Sequence, residues 1–309
     1  MSKFKRLLNH PEAEVDARLR SVCDDQGARV FAKVRMADVL PIDNSGISNG
    51  DYGFALRSHF DFVVTEGFVP IFTVEYDGPG HSETQQRARD QRKDALCDAF
   101  DLPLLRINTN HVKRRFREMD LLTWFVEMWF GQRAIDEAYE NGTIPADEWL
   151  DPLSFISLPG HRRPFPLMIG LDAQCELKKL HEVGKCTAWG TCDFIGYDSA
   201  DNGHGLAVFQ VGEGSWTVVR PWARKQLFPV VLSDLVRELL MIETLDYVRA
   251  VIDGRERGLT DSEALDQIAD FGLRFDVGAR GSGPPFPSDG KPRPGLDKLN
   301  DFSRWRSPE

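Results

Sequence analysis

Two neighbouring strand-length segments, His59–Val64 and Pro70–Tyr76, each carry a carboxylate inside an otherwise apolar run. A turn-like stretch separates them, so the pattern predicts a β-hairpin. Strands packed in a core prefer apolar side chains, yet Asp61 and Glu75 stand near one end of their segments. Acids placed this close repel each other unless a cation lies between them, and the hairpin therefore predicts a charged site at one edge of a sheet.

The segments around this hairpin alternate between helical and strand periodicity. We expect a first helix that ends near Gln26. After it we expect a strand over residues 29–35, a flexible loop over 43–53, the hairpin over 59–76, a polar helix over 83–100, a fourth strand over 102–107 and a long amphipathic helix over 119–139. The order helix, strand, strand, strand, helix, strand favours an α/β fold with a mixed sheet flanked by helices.

A chain of 309 residues with 41% hydrophobic content is long enough for two cores. We expect a first domain over residues 1–135, a linker over 136–160 and a second, α+β domain over 161–275. Residues 276–309 are rich in Gly, Pro, Ser and charge, which predicts a disordered tail.

The chain shows no signal-peptide pattern and no run of eighteen apolar residues, so a cytoplasmic location without a membrane span is expected. Its five cysteines are few and widely spaced, which favours reduced, buried thiols over a disulfide framework. The group Cys175, His181, Cys186 and Cys192 lacks the short spacing of a zinc knuckle.

The formal net charge of −10 argues against a strongly basic nucleic-acid binder, and most of the acidity lies in the second half. Within the first half, His111–Arg117 is a concentrated basic segment that includes Lys113, Arg114 and Arg115. It is a candidate phosphate-backbone contact, or equally a solvated helix start.

Asp61 and Glu75, with Asp77 two residues further along the same strand, form a candidate metal site. Hard carboxylate oxygens are the ligands that Mg²⁺ prefers, and Mn²⁺ is an acceptable substitute. Hydrolysis of a phosphodiester bond requires such ligands together with a positive group that orients the attacking water.

The sequence also resembles a known nuclease group. The segments that carry the resemblance are Asp61-Phe-Val63, Val74-Glu-Tyr-Asp-Gly-Pro-Gly-His81, Asp90-Gln-Arg-Lys-Asp94 and Leu102-Pro-Leu-Leu-Arg-Ile107. They are similar to the PD-(D/E)XK, or restriction endonuclease-like, clan, in the branch of very short patch repair endonucleases and a related uncharacterised bacterial family. The resemblance covers about residues 10–110.

The resemblance implies Asp61 and Glu75 as metal ligands, Asp77 as an additional ligand and Glu14 as an acid that orients the site. The usual glutamate-x-lysine reads Glu75-Tyr76-Asp77 here, so the strand lysine is missing. Lys93 on the following helix is the natural replacement, because that lysine migrates to the neighbouring helix in some members of the clan.

Four basic residues have more than one interpretation. Lys93 is either catalytic or a surface residue paired with a nearby acid, and Lys33 is a weaker candidate for the missing lysine that also serves as a nucleic-acid contact. His81 follows a Gly-Pro-Gly turn and either assists the leaving group or is an exposed loop residue. Arg106 is either a phosphate contact or a salt-bridge partner.

The predicted function is a Mg²⁺-dependent endonuclease, with DNA favoured over RNA as substrate. The alternatives are a catalytically inactive nucleic-acid-binding module and a scaffold subunit of a repair or defence complex. The acidic second half is a candidate surface for a protein partner. Strandedness, sequence specificity, pathway and oligomeric state stay open.

Overall fold

The computed structural model describes residues 5–78, 84–113, 115–116, 119–153, 167–281 and 287–300. Its residues group into two compact units. Unit 1 comprises residues 1–167 together with 226–230, and unit 2 comprises residues 168–225 and 231–309. Both mix helices with sheets, so the predicted α/β class holds.

Unit 1 begins with helix α1 (His10–Asp25), whose start is fixed by Asn9 and Glu12 in a reciprocal capping box. The helix buries the apolar residues that recur at helical spacing, namely Val15, Leu19, Val22 and Cys23. Strand β1 (Arg29–Arg35) follows, as predicted.

A helix replaces part of the predicted loop. After a 3₁₀ turn at Met36–Asp38, helix α2 runs from Asn49 to Arg57. The expectation of a loop over residues 43–53 is wrong from Asn49 onward, because the Ser48 side chain accepts a hydrogen bond from the Asp51 N–H and caps a helix that composition alone does not predict.

The central sheet of unit 1 has the strand order β1-β2-β3-β4. Strands β2 (His59–Glu66) and β3 (Val69–Tyr76) form the predicted hairpin, and β1 pairs antiparallel with β2. Helix α3 (Thr84–Ala99) crosses over to β4 (Leu104–Ile107), which pairs parallel with β3. This crossover places one face of α3 against the middle of the sheet.

A short helix α4 (Thr109–Lys113) and a two-stranded ribbon of β5 (Arg115–Phe116) and β6 (Met119–Asp120) lead to helix α5 (Leu121–Glu140). The Asp120 side chain caps α5 by accepting from the Thr123 N–H. Because α5 continues to Glu140, the segment expected as a linker begins inside a helix.

Residues 226–230 complete unit 1 along the outer edge of β4. The Gln226 side chain accepts from the Arg106 N–H at 2.9 Å and donates to the Arg106 carbonyl at 3.3 Å, as a neighbouring strand would. The Leu104 N–H donates to the Leu227 carbonyl, and the Phe228 ring packs edge-on against Phe72. Sequence patterns did not indicate this return of the chain.

Unit 2 consists of a sheet with helices packed against it. Its elements are α6 (Leu171–Glu182), β7 (Cys192–Tyr197), β8 (Gly203–Gly212), β9 (Ser215–Val219), β10 (Trp222–Ala223), α7 (Leu232–Ile252), α8 (Asp261–Arg274), β11 (Asp276–Arg280) and α9 (Pro294–Asn300). The strand order is β10-β8-β7-β11, and β9 also pairs with β8. Helix α7 approaches β8 at Gly205, where an added Cβ would lie 2.7 Å from a Val236 methyl group.

The prediction of a disordered tail is wrong for most of its described part. Strand β11 pairs antiparallel with β7, and helix α9 packs against α8 through Gly295. Gly295 therefore permits close packing of α9 instead of preventing structure. None of the helices in the described ranges combines the length and apolar character needed to cross a bilayer.

Candidate active site

The hairpin of β2 and β3 brings Asp61 and Glu75 together where its backbone pairing stops. Phe62 and Val74 are the last paired residues at this end. Beyond them, hydrogen bonds from the backbone to carboxylate side chains replace the backbone pairing. Glu75 Oε1 accepts from the Asp61 N–H at 3.1 Å, and Asp61 Oδ2 accepts from the Tyr76 N–H at 2.9 Å. The two strands are therefore joined by carboxylates at the predicted site.

Lys93 reaches this pair from α3. Its ammonium lies 2.6 Å from Glu75 Oε2 and donates to the His59 carbonyl at 2.9 Å. The side chain is only 11% exposed, and the ammonium lies 5.7 Å from the centre of the Phe60 ring. The structure thus places Lys93 against Glu75 instead of on the surface beside a neighbouring acid.

Burial dominates the electrostatics of Glu75, which is 6% exposed. Loss of hydration raises its pKa to about 7, and the charge of Asp61 adds to the rise, although the Lys93 ammonium opposes it. A carboxyl group whose pKa is shifted this far, beside a charged partner, is a feature typical of functional sites.

A second lysine, Lys33 on β1, binds the other acid. Its ammonium lies 2.6 Å from Asp61 Oδ1 and 3.0 Å from Glu12 Oε1. Burial acts to lower the pKa of Lys33, but the hydrogen bonds and charges of Asp61 and Glu12 outweigh it, so the pKa is raised.

The backbone of Lys33 is strained. Its φ of +55° is left-handed, which costs a non-glycine residue about 1–2 kcal/mol. The register of β1 with β2 includes Ala32 and Val34 but omits Lys33 between them. Strain of this kind persists only where the surrounding contacts enforce it, and it is concentrated at functional sites.

The acid that α1 contributes is Glu12. It occupies the third position of the helix, where one carboxylate oxygen completes the capping box with Asn9 and the other accepts from Lys33. Glu14, two residues on, lies about 200° from Glu12 around the helix axis and is half-buried. The sequence signal for Glu12 is the pattern Asn9-x-x-Glu12, which is typical of a capping box and places Glu12 in the first turn of a helix.

Asp77 and Arg106 form a separate ionic cluster with α3. The Arg106 guanidinium, 5% exposed, pairs with Asp94 at 2.6 Å, Asp77 at 3.0 Å and Asp90 at 3.5 Å. Arg106 is therefore a salt-bridge partner, the second of its two interpretations. Asp77 directly follows the strand that carries Glu75, and its carboxylate binds Arg106.

The basic segment after β4 is only partly a surface feature. His111 contacts the Phe125 ring, and burial lowers its pKa to about 4, so it is neutral at physiological pH. Lys113 is exposed at the end of α4. Arg114 and His81 lie outside the described residues, and Arg115 is described only as the first residue of β5.

The donor set of Asp61 and Glu75 fits a hard divalent cation. Each of their four oxygens accepts one N–H donor, from Lys33, the Tyr76 backbone, the Asp61 backbone or Lys93. Because a carboxylate oxygen has two lone pairs, each keeps one for a metal ion. Within the described ranges, no group of three or more His, Cys, Asp or Glu side chains is arranged to hold a metal. Two carboxylates suffice for Mg²⁺, which keeps several waters and takes the remaining ligands from substrate phosphates.

Residues 4–120 match the model of a protein family described as being of unknown function, DUF2726. The matched range contains Asp61, Glu75 and Lys93 and ends with β6, so it covers the sheet of unit 1 and less than half of the chain. Among curated proteins and solved structures, nothing matches the chain.

Proposed function

We propose that unit 1 is a metal-dependent nuclease of the restriction endonuclease-like type, which hydrolyses phosphodiester bonds in nucleic acid. The observation that carries the proposal is the buried Glu75, held between the Asp61 N–H at 3.1 Å and the Lys93 ammonium at 2.6 Å. Two acids and a lysine in contact are the groups that metal-assisted hydrolysis of a phosphodiester needs.

The topology supports the same proposal. A helix precedes three antiparallel strands, and a crossover helix then leads to a fourth, parallel strand beside the third. This is the element order that the sequence periodicity predicts, and the resemblance to the PD-(D/E)XK clan implies a mixed sheet of this kind. The acids lie on the second and third strands, and the lysine lies on the crossover helix.

Asp61 and Glu75 would hold Mg²⁺ or Mn²⁺, which when bound lowers the pKa of a coordinated water and neutralises charge on the phosphate. Lys93 has three N–H donors, two of which serve Glu75 and the His59 carbonyl. The third is available to orient the attacking water. Lys33 holds the Asp61 carboxylate in place through its 2.6 Å ion pair.

Nucleic acid, with DNA favoured, is the proposed substrate because of the resemblance and because Lys113 is an exposed cation in the basic segment after β4. His81 would assist departure of the leaving oxygen, as the sequence pattern suggests. A protein partner for the acidic second half is a further part of the proposal.

The test is cleavage of supercoiled plasmid and of single-stranded DNA and RNA with Mg²⁺, Mn²⁺ or EDTA. We expect metal-dependent cleavage by the full chain and a loss of at least about 100-fold in Glu75→Gln and Lys93→Ala, the size typical of removing a catalytic group. The matched controls are Glu137→Gln and Lys178→Ala, because both side chains are exposed and remote in sequence from the site.

Binding of Mn²⁺ provides an independent measurement, followed by its paramagnetic resonance signal. Asp61→Asn and Glu75→Gln are expected to weaken binding, whereas Glu137→Gln leaves it unchanged. Metal binding and nucleic-acid binding without cleavage of any substrate would reject the nuclease and favour the inactive binding module.

A further inference from the structure

Arg106 and Glu75 occupy neighbouring positions on one face of the sheet. They are paired in the parallel register of β3 and β4, and residues in register on adjacent strands direct their side chains to the same side. Glu75 binds Lys93 of α3. The guanidinium of Arg106 faces the same helix, one strand further out.

The residues of α3 that Arg106 contacts lie on both sides of Lys93 in the chain. Nε and Nη2 both donate to Asp94 Oδ1, at 2.9 and 2.6 Å. Nη2 also donates to the Asp90 carbonyl at 3.2 Å. One rigid guanidinium therefore contacts the residue directly after Lys93 and the residue three positions before it.

The same group ties the helix to the strand that carries Glu75. Nη1 donates to Asp77 Oδ1 at 3.0 Å, and Asp77 lies on the chain directly after β3. The backbone of Arg106 is itself held by the side chain of Gln226. Arg106 is thus a fixed point to which both α3 and the end of β3 are attached.

We propose that Arg106 is a positioning residue, which anchors α3 through Asp94 and so holds the Lys93 ammonium against Glu75. A lysine side chain has many rotamers, and its head group stays at one place only if the helix that carries it is fixed. The consequence for hydrolysis rests on the proposed function, whereas the anchoring itself is a property of the chain without substrate.

The experiment measures the rate at which Lys93 is acetylated by trace acetic anhydride in the full-length native chain, with Lys178 as an internal reference. The Asp94→Asn variant removes the carboxylate charge that binds the Arg106 guanidinium. We expect its Lys93 to react about tenfold faster, the factor that corresponds to about 1.4 kcal/mol. The matched control is Asp98→Asn, an exposed aspartate on the same helix, in which the rate stays at the wild-type value.

Arg106→Lys provides a second variant, which keeps the positive charge and loses the planar set of guanidinium donors. It too is expected to increase the labelling of Lys93, and it carries the test if Asp94→Asn does not fold. Unchanged labelling in the folded variants overturns the proposal. Equal increases in Asp94→Asn and Asp98→Asn also overturn it, because they would indicate general loosening of the helix.

Hydrolysis provides the final distinction. If the full chain cleaves nucleic acid, Asp94→Asn is expected to lower kcat with KM unchanged, and Asp98→Asn to change neither. If the full chain cleaves nothing while Lys93 labelling still depends on Asp94, the nuclease function is rejected and the positioning role stands.

Discussion

The carboxylate of Glu75 and the ammonium of Lys93 lie 2.6 Å apart between a central strand and its crossover helix, with about a tenth of each side chain exposed. Burial makes this pair costly to break, because removing one partner leaves the other charge without compensation in a poorly hydrated place. The pair also makes the stability of the protein depend on pH in an unusual direction.

We predict that protonation of Glu75 stabilises the fold. Its pKa is raised from 4.5 to about 7 by burial, so the folded chain holds a proton that the unfolded chain releases between these values. The stabilising contribution is fully present below pH 4.5 and is lost as the pH rises through about 7. The loss is on the order of 3 kcal/mol, since each pKa unit corresponds to about 1.4 kcal/mol.

Urea unfolding between pH 4.5 and 8 measures this effect. Wild type and Glu75→Gln are compared by the slope of unfolding free energy against pH, because the glutamine cannot titrate. As the pH falls from 8 to 4.5, we expect the unfolding free energy of wild type to rise relative to that of Glu75→Gln. Parallel curves would contradict the raised pKa.

The left-handed backbone of Lys33 leads to a second prediction, from the comparison of Lys33→Gly with Lys33→Ala. Both variants lose the ion pairs to Asp61 and Glu12, but only glycine accepts a φ of +55° without strain. We expect the glycine variant to be more stable in urea by about 1 kcal/mol. The control is Ala32→Gly, because the φ of Ala32 is not positive; there we expect glycine to make the protein less stable than alanine does. If glycine were also less stable than alanine at position 33, the backbone of Lys33 would not be strained.

Phe228 is predicted to be essential for the stability of unit 1. Its ring is 3% exposed and lies 5.3 Å from Phe72 and 6.4 Å from Trp129. Phe228→Ala is expected to cost about 3–5 kcal/mol in thermal or urea unfolding. The control is Phe68→Ala, a ring that is 69% exposed, and similar losses in both variants would contradict the packing described.

The docking of α9 on α8 is tested by Gly295→Ala. A Cβ at this position would lie 1.9 Å from the Ala269 carbonyl oxygen, so the helices must separate. We expect a loss of about 1–3 kcal/mol and faster hydrogen exchange in α9. Gly190→Ala meets no atom within 4 Å and is the matched control. Unchanged exchange in α9 would show that the segment does not pack there.

Thiol titration tests the burial of the cysteines. Cys175 is exposed, whereas Cys23, Cys97, Cys186 and Cys192 are buried, and burial raises the pKa of Cys23 and of Cys97 to about 12. Because only the thiolate reacts, we expect one rapidly modified thiol in the native protein and five in urea. Cys175→Ser removes the rapid phase, and its persistence in that variant would contradict the assignment.

The sequence predicted the elements of unit 1 whose periodicity is strong. The hairpin that carries Asp61 and Glu75, the crossover helix with Lys93 and the parallel fourth strand all lie close to their predicted positions. These elements are defined by local alternation and helical spacing, which a single sequence displays directly.

The features that sequence patterns missed depend on contacts between distant residues. The capping pattern places Glu12 in the first turn of α1, but its contact with Lys33 joins residues 21 positions apart, and no local pattern predicts the left-handed backbone of Lys33. Gln226 serves as a partner for β4 from 120 residues away. The composition of the tail predicted disorder, whereas the missing side chain of Gly295 lets α9 contact α8.

The attachment of residues 226–230 to the edge of β4 has a consequence for biosynthesis. Gln226 leaves the ribosome 120 residues after Arg106, which at about 5–20 residues per second is a delay of about 6–24 s. During that interval the outer N–H and C=O groups of β4 and the rings that pack on Phe228 lack their final partners. Until residues 226–230 are synthesised, the edge of β4 is an unpaired strand edge that another chain or a chaperone can bind.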